Sequence, residues 1–280
     1  MELEIIRFIQ SFHTPFLDQV FEWVTAFGES SLIITIILGI YWCVNKDSGE
    51  CVAYSFFSSS MLNNIVKNIV KAKRPIGEEG IRSLRVQTAT GYSFPSGHSQ
   101  GASSTYGALY LLFQRYKCAW MLLILILLVG FSRLYLGVHY PKDVIVGIIL
   151  GFLMSFMSYK LFKKIKNKQL LYLITLLIAV PFVFNSSPDF ARSIGGYLGF
   201  VLGVEFEMKY VKFQVNGCSW KRTVRFIIGI SFLFLLKSLF KSYFSESEFS
   251  YFITQVGLMF FCFGLYPFLF SRIERINRVK

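Results

Sequence analysis

The sequence predicts an all-α, polytopic transmembrane helical bundle of about nine spans, preceded by an N-terminal interfacial helical segment. The first observation is composition: of 280 residues, 54% are hydrophobic, 18% aromatic and only 16% charged, with 31 Phe. That is too apolar for an ordinary soluble domain and makes lipid the expected solvent. The second is the recurrence of apolar runs long enough to cross a bilayer, separated by short connections. The third is that the Lys and Arg residues cluster in alternate connections, which is how topology is written into a membrane chain.

The elements follow in order. Residues from about 4 to 27 place apolar side chains at mixed helical spacing, carry Arg7, Asp18 and Glu22, and are interrupted by Pro15. They read as one or two interfacial helices rather than a span. The acidic start, Met1-Glu2-Leu3-Glu4, is unlike a cleavable signal peptide. Spans are expected at about 29–45, 51–70, 97–114, 119–136, 139–161, 169–185, 193–208, 223–241 and 250–270. The one long connection is 71–96, whose stretch from Pro75 to Gly91 is charged and contains glycine. Gly147 and Gly151, and Gly195, Gly199 and Gly203, recur at every fourth position, a spacing that lets helix backbones approach closely.

Charge sets the sides. Lys46; Arg115 and Lys117; Lys160, Lys163, Lys164, Lys166 and Lys168; Lys209, Lys212, Lys221, Arg222 and Arg225; and Arg272, Arg275, Arg278 and Lys280 fall on one side of such a bundle. That side is the cytoplasm, and it holds the C-terminus. The net charge of +13 is therefore read as topology, with the lipid bilayer as partner and no nucleic acid. Cysteines at 43, 51, 118, 218 and 262 have no CxxC spacing and read as free thiols. The three histidines are His13, His98 and His139. No metal or cofactor is expected.

The opposite, extracytoplasmic side receives three polar strings. Lys67 is followed after six residues by Arg74-Pro75; next comes Pro95-Ser96-Gly97-His98; then Ser132-Arg133, with His139 after five residues and Asp143 after three more. Alone, Lys67 reads as a snorkelling lysine, Arg133 as an interface anchor, and His139 beside Tyr135 and Tyr140 as an aromatic-belt histidine. In this order and on one face they supply what hydrolysis of a phosphate ester needs. Lys67 and Arg74 are about two helical turns apart and share a face if the helix persists, with Pro75 ending it. Arg133 adds a fork of donors shaped for phosphate oxygens. Ser96 and the Gly97 amide stand where a helix begins, a position that favours anions. Asp143, in the turn opened by Pro141, can fix the His139 tautomer and leave its other ring nitrogen as nucleophile. His98 is left to protonate the leaving alkoxide and then to activate water.

These strings resemble the three-part signature of the type 2 phosphatidic-acid phosphatase superfamily: Lys-x6-Arg-Pro, Pro-Ser-Gly-His and Ser-Arg-x5-His-x3-Asp. Every signature position is filled, and the similarity covers about 51–161. The resemblance implies a helical bundle and a phosphohistidine formed on His139 with His98 as acid. It implies phosphate contacts from Lys67, Arg74, Ser96, Gly97, His98 and Arg133. The soluble vanadium haloperoxidases of the same superfamily are excluded by the apolar composition. The chain is expected to form one membrane domain over 1–280, with a catalytic core at about 51–161 and accessory spans at about 166–280. The expected activity is metal-independent hydrolysis of a lipid phosphate or lipid pyrophosphate, such as phosphatidic acid, phosphatidylglycerophosphate, undecaprenyl pyrophosphate or a sphingoid phosphate. A phosphatase of a soluble sugar phosphate, similar to glucose-6-phosphatase, is the rival within enzymes. A lipid-phosphate transporter or binding protein is the rival outside them, and it leaves the nucleophile and its carboxylate without a purpose.

Overall fold

Pro15 and Ser30 divide the first forty residues into separate helices. The computed structural model describes residues 1–185, 187–215, 218–243 and 246–279. Helices α1 (Glu2–Gln10) and α2 (Pro15–Ala26) occupy the segment expected to be interfacial. Thr14 caps α2 by accepting a hydrogen bond from the Leu17 amide at 3.2 Å, and Pro15 takes the first helical position, where its missing N–H is harmless. Next come α3 (Ser30–Cys43) and α4 (Lys46–Val70). The long connection that follows has a short 3₁₀ turn, Val86–Thr88. Then come α5 (Gly97–Phe113), α6 (Met121–Tyr135) and α7 (Pro141–Lys164). The second half holds α8 (Lys168–Ala179), α9 (Pro188–Phe206), α10 (Ser219–Tyr243), α11 (Glu248–Phe260) and α12 (Tyr266–Val279). π-helical turns, Glu207–Val211 and Phe261–Leu265, follow α9 and α11. No strand occurs among the described residues.

The chain is a polytopic membrane protein. Among the described residues four helical stretches are long and apolar enough to cross a bilayer: Lys117–Tyr135, Pro141–Lys164, Ser219–Tyr243 and Glu248–Ile273. The broken pair α2 and α3 adds a fifth if counted as one span. The other expected spans fall on helices that are shorter or more polar. Helix α4 has 25 residues but carries Glu50, Asn63, Asn64, Lys67 and Asn68 on buried surface. Of the cations in the C-terminal tail, Lys280 lies outside the described residues.

The helices form two compact units, Met1–Ile33 with Ser58–Lys164, and Ile34–Phe57 with Ile165–Lys280. In the first, α5 and α7 come within backbone contact at the expected glycines. A Cβ on Gly147 would stand 2.8 Å from the Ser96 carbonyl oxygen, and one on Gly151 2.7 Å from the Ser103 Cβ. A small apolar core of Tyr135, Leu136 and Val138, packed with Ile9, Leu17, Phe21, Ile76 and Leu84, ties α1, α2 and the 71–96 connection to the end of α6. In the second unit α9 uses Gly195 and Gly199 against α11, and Gly203 against the π-helical turn that follows it, in the same way. Its buried carboxylates are paired: Glu207 with Lys46 at 2.6 Å, and Glu50 with Lys168 at 2.9 Å and with the Tyr172 hydroxyl.

Candidate active site

The three polar strings all lie in the first compact unit. The first departs from its expected geometry. Helix α4 stops at Val70, and Lys71 turns the chain with a left-handed φ of 52°. Pro75 accounts for the early stop, because its ring would clash with the Lys71 carbonyl in a continuing helix, and the residue before a proline avoids helical backbone. Lys67 and Arg74 therefore do not share a helix face. Lys67 stands on the last turn of α4, and its Nζ donates to the Tyr92 carbonyl. Arg74 enters from the connection. Its guanidinium donates to the carbonyls of Thr90 (2.6 Å), Gly91 (3.1 Å), Tyr92 (3.2 Å) and Val138 (3.0 Å), and to His139 Nε2 at 2.9 Å. The two cations converge on Tyr92 from separate elements.

The second string opens α5 as the residue types require. Ser96 is the N-cap and Gly97 the first helical residue. The Ser96 hydroxyl accepts from the Ser99 amide at 3.4 Å and lies 2.9 Å from the Ser99 hydroxyl. The Ser96 amide donates to the Asp143 carbonyl at 2.9 Å, which joins the second string to the third. Below it, Asn63 of α4 donates to Gln100 Oε1 (2.8 Å) and to the Pro95 carbonyl (3.3 Å), while Gln100 donates to the Ser59 carbonyl (2.9 Å). Asn63 precedes Lys67 by one helical turn and so faces the same way.

In the third string Arg133 is fully buried on α6. Its Nη1 donates to Thr25 Oγ1 at 2.6 Å, and its Nε and Nη2 have no hydrogen-bond partner among the described residues. His139 lies between α6 and α7. An arginine only donates, so the 2.9 Å contact from Arg74 makes Nε2 an acceptor and places the imidazole proton on Nδ1. Nδ1 in turn faces Asp143 Oδ2 at 3.4 Å, the pairing expected from their spacing. That oxygen also accepts from the Ser93 hydroxyl (2.5 Å) and the Tyr140 amide (2.9 Å). Burial first, and then the Arg74 and Arg133 cations, hold His139 well below the usual histidine range, so its ring is neutral at neutral pH.

His98 sits on the first turn of α5. Its Nε2 is buried without a partner among the described residues, within the field of Arg133, Arg74, Arg85 and Lys67. Gly28 presses against it: a Cβ there would meet the His98 Cβ at 2.9 Å. The structure also brings in residues outside the strings. Ser93 shares the carboxylate, Thr25 holds Arg133, and Arg85 is bound to Glu29 at 2.5 Å and to the Glu22 carbonyl at 3.1 Å. Ser93 lies two residues before Pro95 and is the one with a positional hint; Thr25 and Arg85 have none.

An all-helical membrane chain that gathers buried cations around a neutral histidine with a carboxylate behind it has the makings of a membrane phosphatase. The comparisons give the same class. The model of the PAP2 superfamily matches residues 50–167, and that of the PAP2 superfamily phosphatase transmembrane extension matches residues 191–278. The undecaprenyl-diphosphatase BcrC of Bacillus subtilis is 32% identical over 162 residues, which are 55% of this chain and 82% of that protein. The phosphatidylglycerophosphatase B of the same organism is 29% identical over 166 residues, 55% of this chain and 79% of that one. A crystal structure of a transmembrane PAP2-type phosphatidylglycerolphosphate phosphatase from Bacillus subtilis superposes with a TM-score of 0.50 at 28% identity, covering 59% of this chain and 85% of that one. The chain belongs to the PAP2 superfamily and is a membrane phosphatase.

Proposed function

We propose that this chain hydrolyses a lipid phosphate or lipid pyrophosphate on the extracytoplasmic surface of the membrane, within a bundle of about nine spans. The observation that carries the mechanism is the opposed pair of contacts on His139, with Arg74 on Nε2 and Asp143 on Nδ1. Nδ1–H is held by the carboxylate, so the Nε2 lone pair is the reactive one. A phosphoryl group entering the cationic pocket takes over the Arg74 donors and frees that lone pair. Nε2 then attacks phosphorus, the bond from phosphorus to the leaving oxygen breaks, and His98, which takes up a proton from solvent as the substrate's negative charge offsets the surrounding cations, gives that proton to the leaving oxygen. Lys67, Arg74, Arg133, Ser96 and the Gly97 amide neutralise and orient the three outer oxygens throughout. In the second step His98 takes a proton from water, the resulting hydroxide attacks phosphorus, and the bond to Nε2 breaks. Inorganic phosphate leaves and both histidines return to their starting states. Because the neutralising charge comes from side chains, the reaction is expected to run without a divalent metal.

The substrate class rests on the lipid substrates named for the relatives and on a site built at the ends of helices in a membrane chain. The test is phosphate release by the purified protein, with excess chelator, from lipid monophosphates, lipid diphosphates and soluble sugar phosphates. Turnover confined to the sugar phosphates overturns the lipid reading, and turnover that needs added Mg²⁺ overturns the metal-free one. His98→Ala, rapidly quenched with an aryl phosphate whose leaving group needs no proton, is expected to accumulate acid-labile phosphate on the protein. Persistence of that label in the His98→Ala, His139→Ala double variant would show that His139 is not the nucleophile.

A further inference from the structure

Arg85 belongs to none of the three strings, yet it is built into the same place. The eight residues from Glu22 to Glu29 are the last turn of α2 and the bend that follows it. Within that stretch the Glu22 carbonyl and Glu29 carboxylate hold Arg85, the Thr25 hydroxyl holds Arg133, and Gly28 is seated against His98. Arg85, Arg133 and His98 are thus gathered on one short piece of chain. The backbone of Arg85 is left-handed, with φ 51°, which a side chain other than glycine seldom adopts, so its place is over-determined by its partners.

The donors left over are telling. Arg85 Nε is buried with no hydrogen-bond partner among the described residues, as are Nε and Nη2 of Arg133. Arg85 already meets Glu29 through Nη2, so it is the Nε edge that lacks an acceptor, and a buried donor left without one is costly. One transferred phosphoryl group has three outer oxygens. Lys67, Arg74, Ser96, the Gly97 amide and Arg133 already supply more than one donor for each, so a further guanidinium is surplus to that group. We propose that Arg85 binds a second phosphoryl group, on the leaving side of the phosphorus that His139 attacks, and so fits the site to a diphosphate ester.

This inference rests on the phosphatase reading above, and its test is made on binding so that the two can fail separately. Methylenediphosphonate and methylphosphonate, whose P–C bonds are not hydrolysed, are titrated calorimetrically into the detergent-purified protein. The wild type is expected to bind the diphosphonate more tightly. Arg85→Gln is expected to lose about tenfold of diphosphonate affinity, with methylphosphonate affinity changed less than about twofold. Arg85→Lys keeps a cation for Glu29 but loses the fork and Nε, and is expected to fall between the two. Equal weakening of both ligands assigns Arg85 to the transferred phosphoryl group and overturns the proposal. Unchanged diphosphonate affinity in both variants reduces Arg85 to its ion pair with Glu29 and also overturns it. Phosphate release from lipid substrates, measured separately, decides the phosphatase reading.

Discussion

His139 is gripped at both ring nitrogens, and that grip makes separable expectations. Asp143 Oδ2 faces the ring from 3.4 Å but is closer to the Ser93 hydroxyl at 2.5 Å and the Tyr140 amide at 2.9 Å. Ser93 therefore aims the carboxylate that aims the imidazole. Asp143→Asn is expected to lower kcat by roughly 10²–10⁴-fold, since an amide can present the wrong atom to Nδ1 and cannot support the imidazole's charge. Ser93→Ala is expected to lower kcat about tenfold, the loss of one hydrogen bond to a charged acceptor. Both should leave the affinity for inorganic phosphate near that of the wild type, and a Ser93→Ala variant with unchanged kcat removes Ser93 from the relay. The neighbouring cations add a pH signature. His139 must be unprotonated to attack, and burial with Arg74, Arg133 and Lys67 lowers its pKa. The neutral form thus persists to lower pH than in free histidine, and the acid limb of kcat/KM, corrected for titration of the substrate, should lie below 6.5. Lys67→Gln removes one cation and should move that limb up. A limb already at or above 6.5 in the wild type would contradict the neutral ring.

At the scale of elements, the site depends on helix ends more than on helix faces. Pro75 stops α4 at Val70 and throws Arg74 into the connection, so the first string is two contacts from two elements. Its residues were legible in the sequence, but its geometry was not, because the spacing of seven suits a helical face and only the early stop reveals the turn. The second and third strings were legible in both respects. Serine as N-cap, glycine behind it and proline opening α7 each have a local backbone reason. What the sequence hid is the contribution of α2. Thr25 meets Arg133 across 108 positions and Glu29 meets Arg85 across 56, and no periodicity carries such distances. The consequence can be measured. Thr25→Val keeps the shape and leaves Arg133 Nη1 without its acceptor in a buried place, at about 1–3 kcal/mol. Since Arg133 is placed to bind phosphate, kcat/KM is expected to fall about tenfold and Thr25→Ser to restore most of it. A lower melting temperature with unchanged kinetics would limit the Thr25 bond to holding the fold.

For the whole molecule, the sequence marked where helices lie better than which of them cross the bilayer. Each apolar run falls on a helix, but among the described residues only four stretches qualify by length and composition, or five with the broken pair of α2 and α3. Helices α4 and α5 carry the polar residues that build the site, among them Asn63, Lys67, His98 and Gln100, and that polarity is what a hydropathy reading penalises. Sidedness then has to come from charge. The end of α7 and its connection to α8 hold Lys164 and Lys166, whereas the 71–96 connection carries Lys71, Lys73, Arg74, Arg82 and Arg85. The first set obeys the rule that retains positive charge in the cytoplasm. The second set breaks it, and several of its cations have a visible reason: Arg74 is clamped on the loop and His139, Arg82 is paired with Asp18, and Arg85 with Glu29. The 71–96 connection is therefore expected outside and the α7–α8 connection inside. With Cys43, Cys51, Cys118, Cys218 and Cys262 replaced, a cysteine at the exposed Glu78 should react with a membrane-impermeant maleimide in intact cells, and one at the exposed Lys164 only after permeabilisation. The opposite labelling puts the site in the cytoplasm, where the reaction would draw on the inner leaflet. Labelling of both positions in intact cells puts an even number of crossings between them where three are expected, and sinks the count of about nine spans.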